Sequence, residues 1–150
     1  ISVSADAVNF DSVVLNGPVA TKSITVSVAS NGTSGNNKSY NLTLEDYDSN
    51  TNLSKTGTNG LPVTGANNQI PAGQPTQGQT FWGYSVGNSG TWTGVVARGD
   101  ANVPTIATGS TTTTGETDDT IVTFGVSAGT NLSAGTYTGS VLFTATATNS

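Results

Sequence analysis

The chain contains no cysteine, no histidine and no methionine, and only four basic residues, Lys22, Lys38, Lys55 and Arg98. Each absence removes a class of function. Without Cys there is no disulfide framework, no thiol nucleophile and no redox couple. Without His or Cys, the common zinc sites and His-based catalytic triads cannot be assembled. Four cations against nine Asp and Glu leave a net charge of −5, which cannot neutralise a run of phosphates and argues against nucleic acid as a partner. No stretch approaches the ~18 apolar residues of a membrane-spanning helix. Ile1-Ser2-Val3-Ser4 lacks the charged start of an export signal, so a soluble chain from which any signal has been removed is expected.

What is present is small and polar: 27 Thr, 17 Ser and 15 Asn together fill 59 of the 150 positions. Only Glu45 and Glu116 are glutamates, and no pair of carboxylates is placed by the pattern in one cleft as glycoside hydrolysis requires. No nucleophile, base and orienter can be combined from these residue types, so an enzyme is not expected and no cofactor is assigned. The length fits a single domain, large enough to bury a core without covalent staples.

Alternation of period 2 dominates and no helical period is sustained, which predicts an all-β fold. Over Ser23 to Ala29, Ile24, Val26 and Val28 share one face; over Ser39 to Asp46, Tyr40, Leu42 and Leu44 do the same. The Asn31-Gly32-Thr33-Ser34-Gly35 stretch between them reads as a hairpin connection. Phe81 to Val86 and Thr91 to Val96 form a second predicted hairpin around Gly87-Asn88-Ser89-Gly90. Thr120 to Val126 and Tyr137 to Thr148 supply two closing strands, with Val122, Phe124 and Val126 inward in the first and Tyr137, Val141, Phe143, Ala145 and Ala147 inward in the second. The polar segments 49–80 and 98–117 read as surface loops or short edge strands. Strands of this number and spacing over 16–150 fit a β-sandwich of two antiparallel sheets better than the alternative, a closed barrel.

Residues 1–15 stand apart. Ile1, Val3, Ala5 and Ala7 keep one phase, while Val8 and Phe10 keep the other, so a bulge or a change of sheet is expected. Asn16-Gly17-Pro18 is a strong turn signal that could hinge the segment away from the body, leaving it either an ordinary first strand or an arm.

The short motifs have plainer readings beside their functional ones. Leu61-Pro62-Val63-Thr64-Gly65 matches the pattern read by sortases but lacks the apolar segment and basic tail that accompany it, so it reads as a Pro/Gly loop. Arg98-Gly99-Asp100 matches an integrin-binding tripeptide of the sort that recurs by chance. Asn-x-Ser/Thr sequons at Asn31, Asn37, Asn41, Asn52 and Asn131 are candidate sites for covalent N-glycans. Asp46-x-Asp48-x-Asn50 spaces oxygen ligands as in a calcium loop, yet Thr51 replaces the turn glycine and Gly57 the closing glutamate. With Glu116, Asp118 and Asp119, these carboxylates read more simply as an acidic, solubilising surface, and no metal ligand is assigned.

The stretch from Val122 to Thr146, in which a polar turn ending Ala134-Gly135-Thr136-Tyr137 enters a long last strand, resembles the closing strands of prokaryotic surface β-sandwiches. Similar endings occur in pilus subunits of the spore-coat-U type and in Ig-like surface repeats, and Val8-Asn9-Phe10-Asp11-Ser12-Val13 resembles the first strand of such pilins. Cysteine-free archaeal thread-like subunits linked by donor strands fit best. The resemblance implies an Ig-like or pilin-like sandwich and an extracellular, cell-surface filament of identical subunits. The extended N-terminal donor strand would then be the subunit junction, carried by Ile1, Val3, Ala5, Ala7, Val8 and Phe10. Some bacterial pilins also join first and last strands by a Lys–Asn isopeptide bond, for which Lys22 and Asn149 would be the pair. A lysine snorkelling from a strand end is the plainer reading. The alternative class is an Ig-like adhesin or carbohydrate-binding module, with Trp82, Tyr84 and Trp92 lining a sugar surface unless those aromatics are core.

Overall fold

A computed structural model describes residues 1–5, 7–10, 12–29, 38–111 and 116–148. The two clearest alternating runs become long strands: β2 is Ala20–Ala29 and β3 is Lys38–Asp46. Ile24, Val26 and Val28 of β2 and Tyr40, Leu42 and Leu44 of β3 are buried, whereas Thr25 is exposed and Asn41 and Thr43 half-buried. Period-2 side-chain direction thus separates a dry face from a wet one.

The fold is all-β and antiparallel. One sheet has the order β1-β2-β8-β6, with β1 at Ser2–Ala5, β6 at Phe81–Val86 and β8 at Thr117–Ser127. A second has the order β10-β3-β7, with β7 at Thr105–Thr111 and β10 at Val141–Ala147. A small third sheet joins β5 (Gln69–Ile70), β4 (Leu53–Lys55) and β9 (Tyr137–Thr138). Inward residues of both larger sheets, among them Val26, Leu42, Leu44, Val122 and Phe124, meet in one core, an arrangement compatible with a β-sandwich.

Several elements differ from expectation. Strands β2 and β3 do not form a hairpin, because they lie in different sheets; the expected turn 31–35 lies outside the described residues. The expected strand 91–96 is reduced to a single bridge, Thr93 with Tyr84. Glycines explain this reduction: a Cβ at Gly83 would run into the carbonyl oxygens of Gly73 and Thr93, and one at Gly94 would come 2.9 Å from the Gly73 nitrogen. These glycines let three backbone segments crowd together, at the expense of a regular ladder. The run 137–148 splits at Gly139-Ser140 into β9 and β10, which belong to different sheets. The segment 98–117 holds a seven-residue strand, β7, which pairs along β3.

Candidate functional site

The N-terminal segment is the candidate junction, and the structure places its first part at a sheet edge. β1 pairs antiparallel with β2 in the register Ser2 with Ala29, Val3 with Val28, Ser4 with Ser27 and Ala5 with Val26. On its other side no strand pairs with β1 among the described residues, so its outer row of amides and carbonyls is an open edge. Of the four odd-numbered candidates only Val3 is half-buried; Ile1, Ala5 and Ala7 are exposed. Val8 and Phe10 pack against the core as half-buried residues, in the opposite phase to Val3.

After β1 no strand forms before Ala20 among the described residues. The turn expected at Asn16-Gly17-Pro18 is present and pinned. Asn16 takes a left-handed φ of 56°, its amide donates to the Ala128 carbonyl at 2.7 Å, and its carbonyl accepts from Gln77 Nε2 at 3.2 Å. The segment before this point is held by the strand register of β1 and the partial packing of Val3, Val8, Phe10 and Val13.

β1 and β10 lie at the same side of the two large sheets and approach each other there. Burial falls off toward that side. In the middle strand β3, Tyr40, Leu42 and Leu44 are at most 1% exposed, whereas Val141, Phe143 and Ala145 of β10, opposite Asp46, Leu44 and Leu42, are only half-buried. An apolar strip therefore lines this margin, where β1 approaches β10.

The other candidates fall at separate places. Trp82 and Tyr84 are core residues, 4% and 3% exposed, and Trp82 Nε1 donates to the Thr51 carbonyl at 2.8 Å. Trp92 lies on the opposite, outward side of the same sheet, where its ring covers Gly125; a Cβ there would come within 2.6 Å of it. The three aromatics thus share no surface. Arg98 is engaged within the chain, donating from Nη1 to the Tyr47 carbonyl at 3.0 Å and lying 5.3 Å over the Tyr47 ring. Leu61-Pro62-Val63 forms the exposed return arm of a small hairpin closed by Gly57 N to Leu61 O and Val63 N to Lys55 O, each 2.8 Å.

Among the sequons, Asn131 is exposed and Asn41 half-buried on β3, while Asn52 is half-buried and donates through Nδ2 to Gln69 Oε1 at 3.0 Å. Asn31, Asn37 and Asn149 lie outside the described residues. Lys22 is exposed at a position opposite Phe124. In the second acidic cluster, Asp118 accepts from the Tyr40 hydroxyl at 2.8 Å and Asp119 from Ser27 Oγ at 2.6 Å. Among the described residues, no group of three or more Asp, Glu, His or Cys side chains is placed to hold a metal, and no helix is long and apolar enough to cross a membrane.

The chain matches no family model, no curated protein sequence and no solved structure.

Proposed function

We propose that this chain is the structural subunit of an extracellular filament whose identical copies are linked head to tail by donor-strand complementation, on an Ig-like or pilin-like sandwich. What carries this reading is the position of β1. It is a four-residue edge strand, followed by a stretch without strands among the described residues and then by the pinned turn at Asn16. An edge strand that pairs with β2 of its own chain can make the same hydrogen bonds with β2 of a neighbour, so exchange leaves the ladder unchanged in energy. Fully extended, fifteen residues reach about 50 Å, well beyond the ~15 Å radius of gyration expected for a domain of this size.

In the assembled state the neighbour's Ile1, Val3, Ala5 and Ala7 lie along the β2 edge, and Val8 and Phe10 continue the contact after the change of phase. The half-buried strip of Val141, Phe143 and Ala145 is the apolar surface such a segment covers. A head-to-tail contact of this kind does not close on itself, so it propagates as a fibre.

Electron microscopy of the native material, with its size after gentle dilution, tests the proposal. Long thin fibres that disappear when residues 1–15 are deleted are the expected result. Fibres unchanged by the deletion reject the donor assignment. Monodisperse 15 kDa particles from the intact chain favour a self-contained surface module, for which the outward Trp92 would be the first residue to test for glycan binding.

A further inference from the structure

A polar cavity of about 210 Å³ opens where the end of β3, strand β4 and the β9–β10 link meet. It is independent of the proposed junction. Asp46, Asp48, Asn50 and Ser54 line it from one side, and Gly139 and Ser140 from the other. Two of these side chains are nearly sealed from solvent. Asp46 is 3% exposed and Ser54 is 7% exposed.

Their hydrogen bonding is incomplete. The Asp46 carboxylate accepts from the Asp48 amide at 3.0 Å, and no Lys or Arg among the described residues pairs with it. Ser54 comes from a different element, β4, and among the described residues its hydroxyl has no hydrogen-bond partner. A buried hydroxyl left unpaired and a buried carboxylate left without a countercharge are both costly arrangements. A single cation in the cavity relieves both.

We propose that this cavity binds a calcium ion, held by the carboxylates of Asp46 and Asp48, the side-chain oxygen of Asn50 and the hydroxyl of Ser54. All the available donors are oxygens, which suits a hard cation and not zinc or copper. Two carboxylates balance a divalent charge, and the mixture of charged and neutral oxygens suits calcium, which accepts six to eight ligands in irregular geometry. Magnesium demands a near-ideal octahedron. With only two carboxylates the affinity belongs to the class of extracellular modules, a dissociation constant of about 0.1–1 mM.

The test uses the full chain and calcium chloride alone. At 10 mM calcium and a dissociation constant of about 1 mM, the unfolding equilibrium constant should fall about elevenfold, with a smaller fall in 10 mM magnesium. Terbium luminescence provides a second reading, because Tyr47 lines the same cavity and can sensitise the bound ion. Asp48 is exposed, so Asp48→Asn leaves the fold intact by circular dichroism; it should weaken both responses about tenfold or more. Ser54→Ala should weaken them several-fold. No response of the wild type up to 10 mM calcium overturns the proposal, as does an equal response to magnesium or a full response in Asp48→Asn.

Discussion

The hydroxyl of Tyr40 on β3 donates to the carboxylate of Asp118 on β8 at 2.8 Å, so one hydrogen bond ties the middle strand of one large sheet to a strand of the other. Gly109 on β7 makes room for it. A Cβ there would fall on the Asp118 carboxylate and 2.7 Å from the Tyr40 oxygen. Tyr40 is otherwise core, 1% exposed, and its ring shares the interior with Leu42 and Leu44. Its polar end is satisfied by Asp118, as a buried tyrosine requires.

This bond predicts an alkaline weakening of the fold. Burial first, then the hydrogen bond to Asp118 and the charges of Asp118 and Asp119, push the Tyr40 hydroxyl up to about 12 from its ordinary 10.0. The folded chain therefore keeps a proton that the unfolded chain releases above pH 10, and stability falls as pH rises from about 10 to about 12. Below that window the group adds no pH dependence. Tyr40→Phe should cost about 1.5–3 kcal/mol near neutrality, the range for a hydrogen bond to a charged group. It should also flatten, without abolishing, the alkaline decline, since burial also raises the hydroxyls of Tyr84 and Tyr137. Urea midpoints at several pH values between 8 and 12 measure both effects; a variant whose decline matches the wild type would remove Tyr40 as its source.

The outward face of the first large sheet carries a different dependency. Trp92 covers Gly125, and a methyl group added there would stand 2.6 Å from its ring. Gly125→Ala should displace the indole and cost about 1–3 kcal/mol, as overpacking does. For a domain of this length each kcal/mol lowers the melting temperature by about 2–4 °C. Trp82 stays buried, so any red shift in tryptophan emission reports Trp92 alone. An unchanged spectrum and melting point would mean that the ring does not rest on Gly125 in solution.

The same physics explains which parts of the molecule were legible in the sequence. Strands β2 and β3 could be read because their apolar residues alternate with polar ones and each strand has one wet face. β7 could not: Ile106 and Ala107 are adjacent in sequence, and Thr, Ser and Gly fill the remainder, as suits an edge strand with little buried surface. Alternation also says which face is dry but not which partner is paired. The run 137–148 therefore looked continuous although it changes sheet at Gly139-Ser140, and β2 and β3 looked like a hairpin although they face each other across the core. The cavity at Asp46 was only half visible. The Asp-x-Asp-x-Asn spacing signals one wall, but Ser54 looks like an ordinary strand serine until folding seals it beside Asp46 and residues 138–140.

Unequal burial across the second sheet predicts unequal costs of truncation. Leu42 is 0% exposed, and Leu42→Ala should cost about 2–5 kcal/mol. Phe143, on the neighbouring strand β10, is only half-buried, so Phe143→Ala in unpolymerised protein should fall well below the ~3–5 kcal/mol typical of a fully buried phenylalanine. If Phe143 is covered by a neighbour's segment, the cost should rise in fibres. Melting the two variants in both states separates the cases; equal costs in fibres and monomers would mean that a neighbour's segment covers β10 no more fully than the chain's own does.

A covalent lock on β1 tests strand exchange most directly. Ser4 and Ser27 are directly opposed in the β1–β2 register. Antiparallel partners stand about 4.5–5.5 Å apart at Cα, within the ~4.4–6.8 Å that a disulfide spans. The chain has no cysteine of its own, so the double variant Ser4→Cys, Ser27→Cys can form only this intramolecular bridge or an intermolecular one. Oxidised as a monomer, it holds β1 on its own β2 and should stay monomeric under conditions in which the wild type forms fibres. Reduction should restore assembly. Oxidation after assembly should instead link neighbouring subunits, giving a ladder of multimers on a denaturing gel. Ser27→Cys alone forfeits the 2.6 Å bond to Asp119 and serves as the control for that loss. Fibres from the oxidised monomer at the wild-type rate would show that β1 never leaves its own sheet, and the junction would have to be sought elsewhere.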